Sequence, residues 1–165
     1  LQGDAMISDI MSANFGIKTE FLADGIRIYK EGNICTNFEY DFSDCPDIAQ
    51  TVAVVCAGLN ISANLIGLES LKIKETDRIE ALKKELSKFD FDITCNDNSL
   101  QIKPINNLNH DLEVTIETYD DHRMALAFSP LAMLFKKLTI TDSEVIKKSY
   151  PNFWNDLKSV NLFNH

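Results

Sequence analysis

Apolar residues recur at helical spacing along three segments of this chain. The clearest is Lys74–Phe89, whose apolar positions lie three, four and three residues apart, at Ile79, Leu82, Leu86 and Phe89. A stripe with that spacing faces a protein core, so this segment is predicted to form an amphipathic helix. Similar patterns predict helices over Asp4–Asn14 and Pro151–Val160.

Two other segments, Asp47–Gly58 and Asp121–Phe135, are apolar on nearly every side. β-Propensity alone would make the first of them a strand. Its length favours a helix that is buried all round, and the second segment, which contains Pro130, is interpreted in the same way. Both segments are therefore predicted to be core helices.

Short runs in which apolar and polar residues alternate predict strands. In chain order the predicted strands cover Gly16–Leu22, Gly25–Tyr29, Ala63–Leu68, Phe91–Cys95, Leu100–Lys103, Val114–Thr118 and Leu138–Thr141. Turn-forming residues join the first two strands at 23–25 and the fourth and fifth at 96–98. The mixture of strands and helices predicts an α/β (α+β) fold.

Equivalent features recur at an offset of 74 residues. Asp47 and Asp121 each open a buried helix, Lys74 and Lys148 each precede an amphipathic helix, and both separations are 27 residues. Chance alignment of apolar positions is the alternative, but two charged positions that match together favour an internal repeat of strand–helix–strand–helix–strand–strand. The predicted units cover 1–31 (partial), 35–103 and 113–165.

The composition limits the kinds of partner. The net charge is −9, from 16 basic and 25 acidic residues, which argues against a general nucleic-acid or anionic-membrane surface. A few cations in a cleft can nevertheless bind a small anion. No run reaches the roughly 20 apolar residues that cross a bilayer. Four cysteines without metal-ligand spacing, Cys35, Cys45, Cys56 and Cys95, indicate free thiols in a cytoplasmic protein and no metal site.

The densest group of charges is Lys74-Glu75-Thr76-Asp77-Arg78. On a helix, Lys74, Glu75 and Arg78 share a face, and that face is predicted to point away from the core. Two cations around one carboxylate can bind phosphate and carboxylate groups, with Glu75 exchanging a proton. From spacing alone, the alternative is a solvated first turn with local ion pairs.

Two further charged groups lie at predicted helix starts: Asp120-Asp121-His122-Arg123 and Lys147-Lys148-Ser149-Tyr150-Pro151. The first is also explained by Asp121 as an N-cap, and the second by a basic loop before a proline-started helix. Helix starts present unpaired N–H groups and a positive dipole end, which suit anions. We therefore predict that one rim of the domain is lined by Asp47, Lys74, Asp121 and Lys148.

Together these segments resemble one family. The runs 46–49 (PDIA), 74–78 (KETDR), 121–125 (DHRMA) and 148–151 (KSYP) occur in the order and approximate spacing of the 5-enolpyruvylshikimate-3-phosphate synthase family. Gln2-Gly3-Asp4 resembles another motif of that family, and the resemblance runs from Leu1 to about Leu157. The family transfers the enolpyruvyl group of phosphoenolpyruvate to the 5-hydroxyl of shikimate 3-phosphate, releases phosphate, and uses no metal or organic cofactor.

The resemblance implies a fold of two similar lobes, each an inside-out barrel of three repeated βαβαββ units, with ligands bound between the lobes. This chain is then expected to form one incomplete lobe. The family's N-terminal motifs are absent, so the N-terminal lobe of the same protein is expected to complete the site. The resemblance also implies a monomer at full length that binds neither nucleic acid nor membrane, and a fragment that is inactive alone.

The resemblance also assigns roles to single residues. Asp47 corresponds to the carboxylate that contacts the shikimate hydroxyls and accepts the 5-hydroxyl proton, and Glu75 to the group that exchanges a proton with the donor's methylene carbon. Lys74 corresponds to a ligand of the shikimate phosphate, and Ser70 stands where the family often has an asparagine that contacts it. The expected phosphoenolpyruvate ligands are Arg78, Arg123 and Lys148. The expected supporting residues are Asp121 and His122.

The alternatives are a sister enzyme, an RNA-modifying enzyme and a non-catalytic scaffold. The related enzyme that transfers enolpyruvate to UDP-N-acetylglucosamine shares the fold and the donor but lacks the paired KETDR and DHRMA motifs. RNA 3′-terminal phosphate cyclases are built from related units but need a nucleotide-linked histidine motif and a basic surface. A non-catalytic scaffold would be indicated by loss of Glu75 or Arg123, and both are present.

Overall fold

The computed structural model describes residues 3–160. This range contains five α-helices and eight strands. They are α1 (Ile7–Phe15), β1 (Ile17–Phe21), β2 (Ile26–Lys30), β3 (Asn37–Asp41), α2 (Ala49–Gly58), β4 (Ser62–Ile66), α3 (Arg78–Ser87), β5 (Asp92–Cys95), β6 (Ser99–Lys103), β7 (Glu113–Ile116), α4 (His122–Phe128), β8 (Lys137–Ile140) and α5 (Phe153–Ser159). Gln2 and the last five residues of the predicted unit 113–165 lie outside the described range.

The strands of residues 3–160 form three open sheets, and no closed barrel occurs among them. The central sheet has the order β3-β4-β6-β5, in which β3 and β4 are parallel and the other neighbours are antiparallel. The two smaller sheets are an antiparallel pair, β1 and β2, and a parallel pair, β7 and β8. The predicted α/β fold is confirmed.

The order of elements agrees with the predicted repeat. The series β3–α2–β4–α3–β5–β6 is strand–helix–strand–helix–strand–strand. The elements α1–β1–β2 have the order of its last three members, and β7–α4–β8–α5 that of its first four. Strand β3 was not among the predicted strands, although apolar and polar residues alternate over residues 37–42. The division into units 1–31, 35–103 and 113–165 stays a prediction.

Two predicted helices differ from their expected bounds because local residues end or start them. The helix predicted from Lys74 begins at Arg78, since Asp77 is the N-cap and accepts a hydrogen bond from the Glu80 amide at 3.2 Å. Lys74 and Glu75 therefore precede the helix. Helix α4 ends at Phe128 and continues as a 3₁₀ turn that contains Pro130, which lacks an N–H for the α-helical pattern.

The core forms around the two predicted buried helices. Asp47–Gly58 is helical and not a strand: a 3₁₀ turn at Pro46–Ile48 leads into α2, which packs against α4. The predicted stripe of α3 is buried, with Ile79, Leu82 and Leu86 at most 2% exposed. Among residues 3–160, no helix is both long enough and apolar enough to cross a membrane.

Candidate active site

Arg78 lies at the centre of an ion-pair cluster built from five parts of the chain. Its Nε is 2.6 Å from Asp121 Oδ2, one terminal nitrogen is 2.9 Å from Asp47 Oδ1, and the other is 2.8 Å from Glu75 Oε2. The side chain is only 2% exposed, so the prediction that it faces away from the core is wrong. Three carboxylates accept four hydrogen bonds from the guanidinium and thereby offset the cost of burying the charge.

Asp121 connects this cluster to the start of α4. Its carboxylate is fully buried, and Oδ1 accepts both the Arg123 amide at 2.9 Å and an Arg78 terminal nitrogen at 3.3 Å. One side chain therefore caps α4 and holds Arg78, which ties the first turns of α3 and α4 together. Asp121 is therefore both the N-cap of α4 and a direct partner of Arg78.

Asp47 lies among three cations. Besides Arg78, its Oδ1 is 3.2 Å from Lys74 Nζ and its Oδ2 is 3.7 Å from an Arg123 terminal nitrogen. Partial burial by itself would raise the pKa of Asp47, but the Lys74 hydrogen bond and the charges of Arg123, Lys74 and Arg78 lower it overall. Asp47 is therefore ionised at neutral pH, as a hydrogen-bond acceptor for a hydroxyl should be.

Arg123 is fixed by a residue that the site prediction did not include. Its guanidinium donates to the Asp47 carbonyl at 3.0 Å and to Asp4 Oδ2 at 3.1 Å. Gly3 permits the approach, because a Cβ there would lie 2.8 Å from the Asp44 carbonyl oxygen. The Gln2-Gly3-Asp4 motif was the available signal, although its spacing gave no reason to place Asp4 at Arg123.

Lys148 and His122 also contact carboxylates of the cluster. Lys148 Nζ lies 3.8 Å from Glu75 Oε1 on a side chain that is 57% exposed. His122 is mostly buried, with Nδ1 3.9 Å from Asp121 Oδ1. Burial lowers the pKa of His122, Lys148 and Arg123 lower it further, and Asp121 opposes them. The imidazole is therefore neutral at pH 7 and adds no positive charge to the site.

Ser70 is the predicted site residue that the structure does not join to the cluster. It is exposed in the 3₁₀ turn Glu69–Ile73 and forms no side-chain hydrogen bond within residues 3–160. The other predicted residues share direct contacts with one another. They are Asp47, Lys74, Glu75, Arg78, Asp121, His122, Arg123 and Lys148.

The charges of the site balance one another. Four cations, Lys74, Arg78, Arg123 and Lys148, contact four carboxylates, Asp4, Asp47, Glu75 and Asp121. An incoming anion meets the more exposed lysines and Arg123 first. Arg78 becomes available to such an anion only if Glu75 or Asp47 releases one of its terminal nitrogens.

Glu75, Asp121 and His122 also place ligand atoms within 4.8 Å of one another, a spacing that can suit a metal ion. The Asp121 oxygens are already engaged by Arg78 and by the Arg123 amide, and Glu75 also binds Arg78. A cation placed there would compete with a guanidinium that is held by all three of its donor nitrogens. The three residues are therefore interpreted as part of the ion-pair cluster.

Comparisons with known proteins agree with these motifs. A family model described as EPSP synthase (3-phosphoshikimate 1-carboxyvinyltransferase) matches residues 1–157. The 3-phosphoshikimate 1-carboxyvinyltransferase of Bacteroides fragilis strain YCH46 is 42% identical over 95% of this chain and 38% of its own length. That of Haemophilus influenzae strain PittGG is 32% identical over 99% of this chain and 37% of its own length.

The chain thus spans less than two fifths of the length of these curated relatives. Among solved structures, an EPSP synthase from Acinetobacter baumannii superposes with a TM-score of 0.76 at 19% identity, over 92% of this chain and 37% of the other. At that identity the likeness concerns the fold alone. On the family match over residues 1–157, the chain belongs to the EPSP synthase (3-phosphoshikimate 1-carboxyvinyltransferase) family.

Proposed function

We propose that the full-length protein containing this chain transfers the enolpyruvyl group of phosphoenolpyruvate to the 5-hydroxyl of shikimate 3-phosphate and releases phosphate. The observation that carries the proposal is the contact between the two diagnostic motifs: Arg78 of one binds Asp121 of the other at 2.6 Å. Membership of the EPSP synthase family favours this function over transfer to UDP-N-acetylglucosamine and over RNA cyclisation.

The donor is assigned to Arg78, Arg123 and Lys148. Phosphoenolpyruvate carries a carboxylate and a phosphate, and planar guanidinium groups bind such anions through paired hydrogen bonds. Arg123 and Lys148 have exposed side-chain fractions of 27% and 57%, so both can meet a ligand without rearrangement. Arg78 joins them when the donor replaces Glu75 as the partner of its terminal nitrogen.

Glu75 and Asp47 are assigned the two proton transfers. Glu75 donates a proton to the methylene carbon of the donor, which leaves the adjacent carbon open to attack by the 5-hydroxyl oxygen. Asp47 accepts the hydroxyl proton as that C–O bond forms. Loss of a proton from the new methyl group, together with departure of phosphate, restores the double bond and completes the transfer. The surrounding cations stabilise the extra negative charge of the intermediate.

The acceptor is assigned to Lys74 and Asp47, which lie 3.2 Å apart. Lys74 is placed on the phosphate of shikimate 3-phosphate and Asp47 on the ring hydroxyls. Ser70 is assigned to the same phosphate on the resemblance alone. His122, neutral at pH 7, orients the ligands, and Asp121 holds Arg78. The rest of the protein, as an N-terminal lobe, supplies the opposite wall of the cleft in a cytoplasmic monomer, without a cofactor.

Phosphate release from phosphoenolpyruvate and shikimate 3-phosphate tests the proposal, with three proteins compared: the full-length protein, its Glu75→Gln variant, and residues 1–165 alone. Full-length protein should release phosphate only when both substrates are present. Glu75→Gln should lower kcat by at least about a hundredfold, the usual contribution of a positioned acid or base, while donor binding stays within a few fold. Residues 1–165 should be silent, since one wall of a cleft cannot hold both substrates in contact.

An inactive full-length protein, or normal turnover in Glu75→Gln, would refute the assignment. Full activity of residues 1–165 alone would refute the division of the site between two lobes. Lys103→Gln is the matched control, because Lys103 pairs with Asp92 on an exposed surface of β5 and β6. This variant should keep wild-type kinetics.

A further inference from the structure

A tight turn with an unusual backbone precedes Asp121. Tyr119 and Asp120 both have positive φ, 53° and 59°, and the Asp121 amide donates to the Thr118 carbonyl at 2.9 Å. Two successive positive φ values closed by this hydrogen bond are typical of a type I′ turn, which favours Asn-Gly or Gly-Gly. Tyrosine in particular resists this conformation, so contacts from outside the turn must hold it.

Those contacts come from the second half of α3. The Tyr119 hydroxyl donates to Glu85 Oε1 at 2.6 Å, and the Glu117 amide donates to Glu85 Oε2 at 3.0 Å. Glu85 is fully buried, and Lys88 Nζ lies 2.5 Å from Oε2. Lys84 Nζ sits 5.5 Å from the centre of the Tyr119 ring. One buried carboxylate, with no part in the proposed chemistry, thus clamps the chain at 117 and 119.

The same helix holds the far end of the turn through Arg78, whose Nε binds Asp121. Arg78 and Glu85 are seven residues apart, about two helical turns, so both project from one side of α3. We propose that Tyr119 and Glu85 are positioning residues, an inference that rests on the proposed function. They lock the 118–121 turn so that Asp121 presents both carboxylate oxygens to Arg78 and thereby sets Arg78 for the donor.

Tyr119→Phe in the full-length protein removes the hydroxyl and keeps the ring. We expect the KM for phosphoenolpyruvate to rise about fivefold or more, since Arg78 loses alignment with a ground-state anion. The kcat and the KM for shikimate 3-phosphate should stay within about twofold, because Glu75 and Lys74 lie outside the turn. A tyrosine with a purely structural role would not give this selective change.

Tyr29→Phe is the matched control. Tyr29 also donates its hydroxyl to a carboxylate, Glu20, at 2.9 Å, but it lies in the β1–β2 pair, away from the ion-pair cluster. This variant should leave all three kinetic constants unchanged. An equal rise of the donor KM in both variants would overturn the proposal, because the effect would then follow from loss of any such hydroxyl.

Two further variants test whether Tyr119 acts through the turn and Asp121. Adding Asp120→Gly to Tyr119→Phe should restore the donor KM, since glycine adopts positive φ without strain. In an Asp121→Asn background, Tyr119→Phe should raise the donor KM no further, as expected for residues that act in series. Independent effects of Tyr119 and Asp121, or failure of the glycine rescue, would contradict the proposed route.

Amide hydrogen exchange over residues 118–123 gives a readout that does not depend on the reaction. Tyr119→Phe should accelerate exchange there and weaken binding of inorganic phosphate, while Tyr29→Phe should change neither. If the wild-type protein releases no phosphate, the proposed function fails, and these two measurements still decide the role of the turn. If Tyr119→Phe accelerates exchange but leaves the phosphate affinity and the donor KM unchanged, Tyr119 has a purely structural role and the proposal is overturned. Glu85→Gln serves for the same measurements if Tyr119→Phe does not fold.

Discussion

At the scale of single residues, the site is organised by a buried cation. Arg78 is 2% exposed and Asp121 is fully buried, so the charge of each offsets the cost of burying the other. Asp47 and Glu75 contact the same guanidinium through side chains that are 34% and 36% exposed. The site therefore combines a buried ion pair with two carboxylates that solvent can reach.

The first prediction at this scale concerns stability. Asp121→Asn leaves the Arg78 charge buried beside a neutral side chain, so the free energy of unfolding should fall by about 3–5 kcal/mol. Urea unfolding of the full-length protein measures the change. Asp92→Asn is the control, because Asp92 pairs with Lys103 at an exposed position and should cost less than about 1 kcal/mol. Equal losses of unfolding free energy in the two variants would mean that the buried pair contributes no more to stability than the exposed pair.

The second prediction concerns acid. The pKa of Asp47 lies below its usual value of 3.8, because the Lys74 hydrogen bond and the nearby cations outweigh burial. Its contribution to stability is therefore fully present above about pH 4 and is lost as the pH falls through the lowered pKa. In urea midpoints from pH 5 to pH 2.5, Asp47→Asn should show a smaller acid-induced drop than the wild type. Parallel curves for the two proteins would exclude this role of Asp47.

At the scale of elements, the apolar pattern predicted the helices and most strands, but the caps determined where helices begin. Helix α3, capped by Asp77, starts four residues after the predicted point and leaves Lys74 and Glu75 in a bend before the helix. That shift matters for the site, because it lets Arg78 turn inward. Strand β3 was missed although Phe38, Tyr40 and Phe42 alternate with polar residues, which is the pattern of a half-buried strand.

The prediction at this scale concerns the turn after β4. Gly67 has φ of +75°, and a Cβ there would lie 2.3 Å from Asp41 Oδ1 and 2.5 Å from the Ser43 amide. Gly67→Ala should therefore lower the free energy of unfolding by more than about 1 kcal/mol. At Gly25 a Cβ meets nothing within 4 Å, so Gly25→Ala should change stability by less than about 0.5 kcal/mol. Thermal unfolding of both variants checks the contrast, and a tolerated Gly67→Ala would contradict it.

At the scale of the whole molecule, an acidic chain concentrates four cations in one place. The sequence motifs indicated this clustering of cations, because KETDR, DHRMA and KSYP each supply charged residues to the cluster. Asp4 could not be placed, since its contact with Arg123 joins positions 119 residues apart. The burial of Arg78 and the contacts of Glu85 with residues 117 and 119 could not be predicted either, because both depend on how α3 packs against the segment 117–121.

Deuterium transfer from the solvent is the most direct measurement of whether this cluster performs enolpyruvyl transfer. The full-length protein is incubated with phosphoenolpyruvate and shikimate 3-phosphate in D₂O, and the recovered donor is analysed by mass spectrometry. If Glu75 adds a deuteron to the methylene carbon, the resulting methyl group can lose any of its hydrogens. When the new C–O bond to shikimate 3-phosphate breaks again before phosphate leaves, the donor is released with deuterium in its methylene group. Glu75→Gln should abolish this incorporation while donor binding persists. Incorporation at the wild-type rate in Glu75→Gln would contradict the assignment of the site.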